Sequence, residues 1–226
     1  MQTEIQYGPA YAVAKVALAG SESVRADGGA MLAMSTGVDI ETSTQGGMLK
    51  GLRRAVLGGE SLFMNTFTAP GEGAELLFAP PLPGDVVVLP LAGETMFLQS
   101  GAYLVSEQGV DIDTSWGGAK TFFSRQGLFV LKASGTGDVV AASYGAIHPV
   151  ELAPGQSYTV DTGHLVGWSE GVGYEVRKIG GWKSTILSGE GLVCVLTGPG
   201  RVYLQTRSQD SLLGWLESRL PKNTND

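Results

Sequence analysis

Few side chains in this sequence have the chemistry to form a catalytic or ligand site. The chain has two histidines, His148 and His164, and one cysteine, Cys194. Asp161 lies three positions before His164, so a carboxylate–imidazole pair is one candidate site. The corresponding hypothesis is a small-molecule-binding or enzymatic β-barrel with a pocket near Asp161 and His164.

Metal and nucleophile chemistry find little support in the same residues. A cupin-type metal centre usually needs two neighbouring histidines and a carboxylate, whereas these histidines are 16 residues apart. The apolar run around Cys194 predicts a buried and unreactive thiol. The sequence contains neither a Gly-x-Ser-x-Gly nucleophile elbow nor a Gly-x-x-x-x-Gly-Lys-Ser/Thr phosphate loop. We therefore predict no catalytic, cofactor-binding or metal-binding residues and a protein that is not an enzyme.

The segment from Asp161 to His164 also has a purely structural interpretation, which we prefer. Aspartate side chains accept hydrogen bonds from main-chain N–H groups nearby, so Asp161 is expected to cap the turn before Gly163. The internal alignment given below places His164 opposite Ala30 and Ala102, positions that need only a strand residue.

Lys50, Arg53 and Arg54 form the one clear basic cluster of a chain whose net charge is −7. This cluster could contact an anionic ligand or a partner, or it could be the solvated face of a short helix or ordered loop over Gly46–Gly59. Three cations on an acidic protein are a weak footprint for a nucleic acid, so no nucleic-acid partner is expected.

Composition predicts a folded protein without a membrane-spanning helix. The chain has 226 residues, 43% of them hydrophobic and only 16% charged, which is too apolar for a disordered protein. The longest uncharged runs have 12 residues, whereas a spanning helix needs about 18. Glu4 and Lys15 interrupt any signal-peptide pattern, so we expect a cytoplasmic protein.

The positioning elements are predicted from an internal repeat. Gly37–Ser43 (GVDIETS) and Gly109–Ser115 (GVDIDTS) agree at six of seven positions and are 72 residues apart. The same offset aligns Gly29-Ala30 with Gly101-Ala102 and Leu32 with Leu104, and an offset of 62 then aligns Gly101 with Gly163 and Gly109-Val110 with Gly171-Val172. Such self-similarity is typical of a fold built from repeated units.

Three Gly-x-Gly elements lie between apolar runs, at Gly71–Gly73, Gly135–Gly137 and Gly198–Gly200. Glycine-rich connections between short strands are typical of hairpin turns. We predict one all-β domain over residues 1–207, made of three repeated β-sheet units at about 10–80, 81–147 and 148–207. The units are expected to pack with pseudo-threefold symmetry, as a β-prism or a double-stranded β-helix.

Val86–Leu91 is predicted to be a strand buried on both faces. Pro90 within it should lie at a bulge or strand end, because proline cannot donate a ladder hydrogen bond. An uncovered sheet edge here would be an aggregation hazard, which favours a covering unit or subunit.

The C-terminal segment, residues 208–220, predicts an amphipathic helix followed by a disordered polar tail over 221–226. Leu212, Trp215, Leu216 and Leu220 share one face of this helix. They could cap the open end of the β core or form an oligomer contact. A membrane-surface helix is disfavoured, since the polar face lacks an excess of Lys and Arg.

Three motifs carry a family resemblance over residues 5–207. GGMLKGLRRAVLGGESLFMNTFTAPGEG at 46–73, VDTGHLVGW at 160–168 and LTGPGRVYLQT at 196–206 resemble the family of the altered-inheritance-of-mitochondria protein twenty-four, a mitochondrial biogenesis factor. The resemblance implies a fold similar to the tryptophan RNA-binding attenuation protein, and it brings no established catalytic residues. Our first hypothesis is therefore a non-enzymatic binding or scaffolding protein that acts as a homo-oligomer.

Overall fold

A computed structural model confirms the all-β class and the C-terminal helix. It describes residues 1–44, 63–113, 129–178 and 192–220. The strands are β1 (Gln2–Gln6), β2 (Val13–Leu18), β3 (Ser23–Asp27), β4 (Met31–Met34), β5 (Asp39–Thr44), β6 (Phe63–Thr68), β7 (Ala74–Phe78), β8 (Val86–Gln99), β9 (Tyr103–Glu107), β10 (Val110–Asp113), β11 (Val130–Ala142), β12 (Ile147–Leu152), β13 (Ser157–Asp161), β14 (Leu165–Ser169), β15 (Gly173–Lys178), β16 (Leu192–Thr197) and β17 (Gly200–Gln205). Single 3-10 turns cover Ser100–Ala102 and Thr162–His164, and helix α1 covers Gln209–Glu217.

The strands form three hydrogen-bonded sheets, and every pairing between the described strands is antiparallel. The first has the order β1-β2-β7-β4, and the last has the order β13-β16-β15. The middle sheet has the order β12-β17-β14-β8-β11-β9-β3-β6-β5, with β10 paired to β11 as its tenth strand.

Four pairings recur in three successive segments of the chain, which we call the first (β2 to β7), second (β8 to β11) and third (β12 to β17). The first segment pairs β2 and β4 with β7, and β3 and β5 with β6. The third pairs β12 and β14 with β17, and β13 and β15 with β16. In the second, the long strands β8 and β11 pair along both halves, and β9 and β10 flank β11.

A bulge lies at a corresponding place in each segment. The β4–β7 ladder skips Leu32, the β9–β11 ladder skips Leu104 and the β14–β17 ladder skips Val166. These residues are 72 and 62 positions apart, which are the offsets of the sequence alignment. The division at 10–80, 81–147 and 148–207 and the pseudo-threefold packing stay predictions.

Two joints connect neighbouring segments through strand pairing. β3 pairs with β9, which places Arg25 opposite Ser106. β8 pairs with β14, which places Phe97 opposite Trp168. Through these joints, one continuous sheet passes from the first segment to the third.

The apolar core forms three clusters. The first is centred on the paired sheets of the first segment, where Phe67 and Phe78 meet edge to face with ring centroids 5.4 Å apart. The second surrounds β8 and β11, and the third surrounds the buried Trp168. Each cluster includes residues of a neighbouring segment, so burial joins the segments as well as hydrogen bonding does.

The prediction of Gly-x-Gly hairpins is wrong. The strands on either side of Gly71–Gly73 do not pair with each other: β6 pairs with β3 and β5, whereas β7 pairs with β2 and β4. The same holds for Gly198–Gly200, and Gly135–Gly137 lies inside β11 beside a register shift. These elements are corners at which the chain moves from one set of strands to another. Glycine was a correct signal for a sharp backbone change but could not identify the partner strand.

The expectations for Val86–Leu91 were also partly wrong. Pro90 is exposed and lies within the regular β8–β11 ladder, opposite Asp138. Among the described strands this half of β8 pairs only with β11, and proline is tolerated on such an edge. Val87 and Val88 are partly exposed, so the strand is not buried on both faces.

Two further predictions lie outside the described residues: the helix or ordered loop over Gly46–Gly59 and the tail over 221–226. The C-terminal helix α1 has nine residues. Within the part of the chain that the structure describes, no helix has the length and apolar character needed to cross a membrane.

Candidate functional site

Asp161 and His164 lie at the 3-10 turn between β13 and β14. The Asp161 side chain accepts a hydrogen bond from the main-chain N–H of Gly163 through Oδ1, at 2.7 Å. The predicted turn cap is therefore confirmed. An aspartate in this position satisfies a main-chain donor that the short helix leaves free.

His164 is bound to the main chain of β17. Its Nδ1 lies 2.8 Å from the carbonyl oxygen of Gln205, and because a carbonyl oxygen only accepts, Nδ1 carries the proton. The buried Gln205 donates from Nε2 to the Gly163 carbonyl at 2.8 Å and accepts from the Tyr144 N–H at 2.9 Å. These bonds tie the turn to β17 and to the chain before β12.

Asp161 and His164 hold the turn in place through hydrogen bonds between their side chains and the main chain. Both side chains use main-chain partners, and the positions aligned with His164, Ala30 and Ala102, hold buried alanines. His148 is exposed on β12. Among the described residues, no three His, Cys, Asp or Glu side chains are grouped so as to hold a metal ion.

The predicted burial of Cys194 is confirmed. It lies on β16 between β13 and β15 and is fully buried. Burial raises the pKa of its thiol to about 12, because the thiolate would lose its hydration, although a hydrogen bond with Tyr174 acts in the opposite direction. A thiol in this environment stays protonated and is a poor nucleophile.

Lys50, Arg53 and Arg54 lie outside the described residues, so their contacts stay a prediction.

The four apolar residues predicted to share one face of the C-terminal helix do not cap the β core, and Leu220 lies beyond the end of α1 at Glu217. Trp215 is 53% exposed, Leu216 and Leu220 are exposed too, and only Leu212 is partly buried. The Arg219 guanidinium lies over the Trp215 ring, 4.4 Å from its centroid. The interpretation that these residues cap the open end of the β core is therefore wrong. A 3.6-residue apolar period shows that a helix has an apolar face but not what covers that face. The predicted oligomer contact of these four residues remains untested.

Strand β4 is an exposed apolar surface that the sequence did not reveal. All four of its residues are exposed, and Leu32 is 59% exposed. Its aligned residues Leu104 and Val166 are 2% and 0% exposed. The sequence alignment pairs Leu32 with these buried residues and gives no sign of a difference in burial, which follows from the position of β4 at the end of its sheet.

Strand β13 is the matching exposed strand of the third segment. It lies at the end of the three-stranded sheet, and Ser157, Tyr158 and Thr159 are all exposed. The residues aligned with Tyr158, Val24 on β3 and Met96 on β8, are both buried. β4 and β13 end two different sheets, and we call these two candidate binding strands the open edges.

Comparison with known proteins identifies relatives over almost the whole chain. The profile of the family described as "Mitochondrial biogenesis AIM24" matches residues 3–207. An uncharacterized protein of Streptococcus pyogenes serotype M6 is 29% identical over 194 residues, which are 85% of this chain and 77% of that protein. A crystal structure of a Streptococcus pyogenes protein from a structural genomics consortium is similar with a TM-score of 0.82 and 28% identity, over 97% of this chain and 99% of that one.

Proposed function

This chain belongs to the mitochondrial biogenesis AIM24 family, and we propose that it is a non-enzymatic binding or scaffolding protein that acts as a homo-oligomer. The single observation that carries the proposal is the exposure of apolar side chains at the ends of sheets. Leu32 on β4 and Tyr158 on β13 are exposed, although their aligned residues elsewhere in the chain are buried.

Exposed apolar strands at a sheet end are sites of association. A sheet edge presents main-chain donors and acceptors that another strand can pair, and natural proteins usually block it with charges, proline or a covering element. β4 (MLAM) carries no charge and no proline. An uncovered apolar edge of this kind fits a protein whose task is to bind other chains.

The polar candidates support a binding role over a chemical one. Asp161 and His164 are engaged by the main chain, and Cys194 is a buried thiol with a raised pKa. A net charge of −7 favours a protein partner over a nucleic acid. A cytoplasmic location is part of the same proposal, and cell fractionation would test it.

The mass in solution tests the oligomer. We expect light scattering to give a multiple of the 23.6 kDa chain mass over a wide range of concentrations. A single-chain mass at all concentrations would contradict the homo-oligomer. Incubation with a panel of metabolites and nucleotides, with and without metal ions, tests the non-enzymatic role. If the wild type converts any of these compounds and the His164→Ala variant does not, the non-enzymatic role is contradicted.

A further inference from the structure

The two joints inside the chain follow one geometry. In the first, Val24, Arg25 and Ala26 of β3 pair with Glu107, Ser106 and Val105 of β9. In the second, Met96, Phe97 and Leu98 of β8 pair with Ser169, Trp168 and Gly167 of β14. The β8 residues lie 72 positions after the β3 residues, and the β14 residues lie 62 positions after the β9 residues. The two joints therefore have corresponding registers.

A third joint of this geometry would use the open edges. The β13 residues Tyr158, Thr159 and Val160 lie 62 positions after Met96, Phe97 and Leu98 of β8. The residues of the first segment that align with Ser169, Trp168 and Gly167 of β14 lie 134 positions earlier and are Ser35, Met34 and Ala33, so a third joint would place Tyr158 opposite Ser35, Thr159 opposite Met34 and Val160 opposite Ala33. Among the described strands, β13 pairs only with β16 and β4 pairs only with β7. Within the described part of the chain, each edge therefore has one side that is not paired, where its counterparts in the other segments pair with a second strand.

We propose that β13 of one copy of this chain pairs with β4 of the next copy, antiparallel and head to tail, in the register Tyr158–Ser35, Thr159–Met34 and Val160–Ala33. The pairing would add β13-β16-β15 of one copy to the end of β1-β2-β7-β4 of the other. This inference rests on the proposed homo-oligomer and names its interface.

Burial indicates that a second copy, and not the same chain, is the partner. β13 and β4 are both present in the chain, yet Leu32 and Tyr158 stay exposed, so β13 does not cover its own β4. Where β9 and β14 form joints, the bulge residues Leu104 and Val166 enter the core of the neighbouring segment. Leu32 would do the same in the third segment of the next copy.

The facing side chains are compatible with pairing. The three proposed pairs contain no charged residue, so no like charges oppose each other across the ladder. β13 has five residues, and the proposed pairs use Ala33 and Met34 of β4 together with Ser35, the residue that directly follows it, so a joint of three pairs such as those inside the chain has room to form. Because the two edges differ, the contact is heterologous and repeats from copy to copy until a ring closes or a filament grows.

Cysteine cross-linking in the full chain tests the register. The Met34→Cys and Thr159→Cys variants are made as separate proteins and mixed. The mixture is oxidised or treated with a short bismaleimide, the remaining free thiols are blocked, and the products are separated on a denaturing gel. We expect a cross-linked dimer from the mixture and none from either variant alone, since each residue faces the other and not itself. Ile40→Cys replaces Met34→Cys in the control mixture, because both parent residues are 39% exposed on strands at sheet ends.

The outcomes separate this inference from the proposed function. A double variant that cross-links only within one chain would overturn the second copy as partner. If the wild type is oligomeric but the mixture does not cross-link, the β13–β4 pairing is overturned and the homo-oligomer is not. A monomeric wild type would overturn both the pairing and the homo-oligomer. A second readout is the light-scattering mass: Met34→Lys should reduce it to one chain mass, and Ile40→Lys should not. An unchanged mass of a folded Met34→Lys variant would also overturn the β13–β4 pairing.

Discussion

Phe97 of β8 and Trp168 of β14 face each other across the joint between the second and third segments. They are directly paired in the ladder, and their rings stack with centroids 5.4 Å apart and an interplanar angle of 24°. Trp168 also stacks on Tyr174 of β15 at 4.7 Å and 7°. The same tryptophan therefore packs against the second segment and within its own, which couples the joint to the third cluster of the core.

Replacing Trp168 with alanine should strongly destabilise the protein. The side chain is almost fully buried, and losing a large buried aromatic costs about 3–5 kcal/mol of the free energy of unfolding. Denaturant unfolding followed by far-UV circular dichroism measures this change. A loss below about 1 kcal/mol would contradict the packing described for this ring.

Trp215→Ala is the matched control for that experiment. Trp215 is exposed on α1, and its described ring contact is the Arg219 guanidinium. Surface substitutions of this kind usually stay within about 0.5 kcal/mol. A larger loss that depends on protein concentration would indicate that α1 is buried in an oligomer.

Cys194 should make stability fall in alkaline solution. The pKa of its thiol rises from 9.0 to about 12 on folding, so the thiol is protonated in both the folded and the unfolded state below pH 9. The contribution of the buried thiol to the free energy of unfolding is fully present in that range. Between pH 9 and about 12 the unfolded thiol ionises while the folded thiol does not. The free energy of unfolding therefore decreases with rising pH, by about 1.4 kcal/mol per pH unit from this group.

The difference between wild type and Cys194→Ala measures this effect together with any change at its hydrogen-bond partner Tyr174, since the remaining titrating groups are common to both proteins. The two stability curves should converge or cross as the pH rises through this range, in urea unfolding at fixed ionic strength. The native thiol should also resist a thiol reagent at pH 8 and react after unfolding. Parallel curves or rapid native modification would contradict a buried, protonated Cys194.

Asp161 should act through its oxygen atom and not its charge. Asp161→Ala removes the acceptor for the Gly163 N–H and should cost about 1 kcal/mol of stability. Asp161→Asn keeps a side-chain oxygen and should lose less. Thermal unfolding of the two variants measures the difference. Equal losses in both would show that the carboxylate charge matters and would favour the alternative hypothesis of a ligand pocket at this turn.

The sequence was sufficient to predict the all-β class, the helix after residue 207, the Asp161 cap and the burial of Cys194. Each depends on local signals: residue periodicity, turn chemistry or an apolar run. Leu32 shows where such signals stop. It aligns with the buried Leu104, yet it is exposed, because its burial depends on a strand beyond the end of its sheet, which no local pattern encodes.

The corner glycines show the same limit. Gly71–Gly73 marks a sharp turn in any interpretation, but strands separated by a short glycine-rich link can pair with each other or with strands far along the chain. The structure has the second arrangement, with β6 bonded to β3 and β5. The choice depends on which faces meet in the core, so it is a property of the whole fold and not of the turn sequence.

Gly135→Ala should be among the most destabilising substitutions of a small residue in this chain. Gly135 has a φ of 121°, and a Cβ there would lie 2.3 Å from the Gly109 carbonyl oxygen. β10 or β11 would have to shift, so the new strain adds to an overpacking penalty of about 1–3 kcal/mol. Gly29→Ala is the matched control, since Gly29 also has a positive φ, 91°, but nothing lies within 4 Å of its Cβ position. Denaturant unfolding should show a clearly larger loss for Gly135→Ala. Equal losses would mean that backbone conformation alone sets the requirement for glycine, and that the close approach of β10 to the β11 corner contributes nothing.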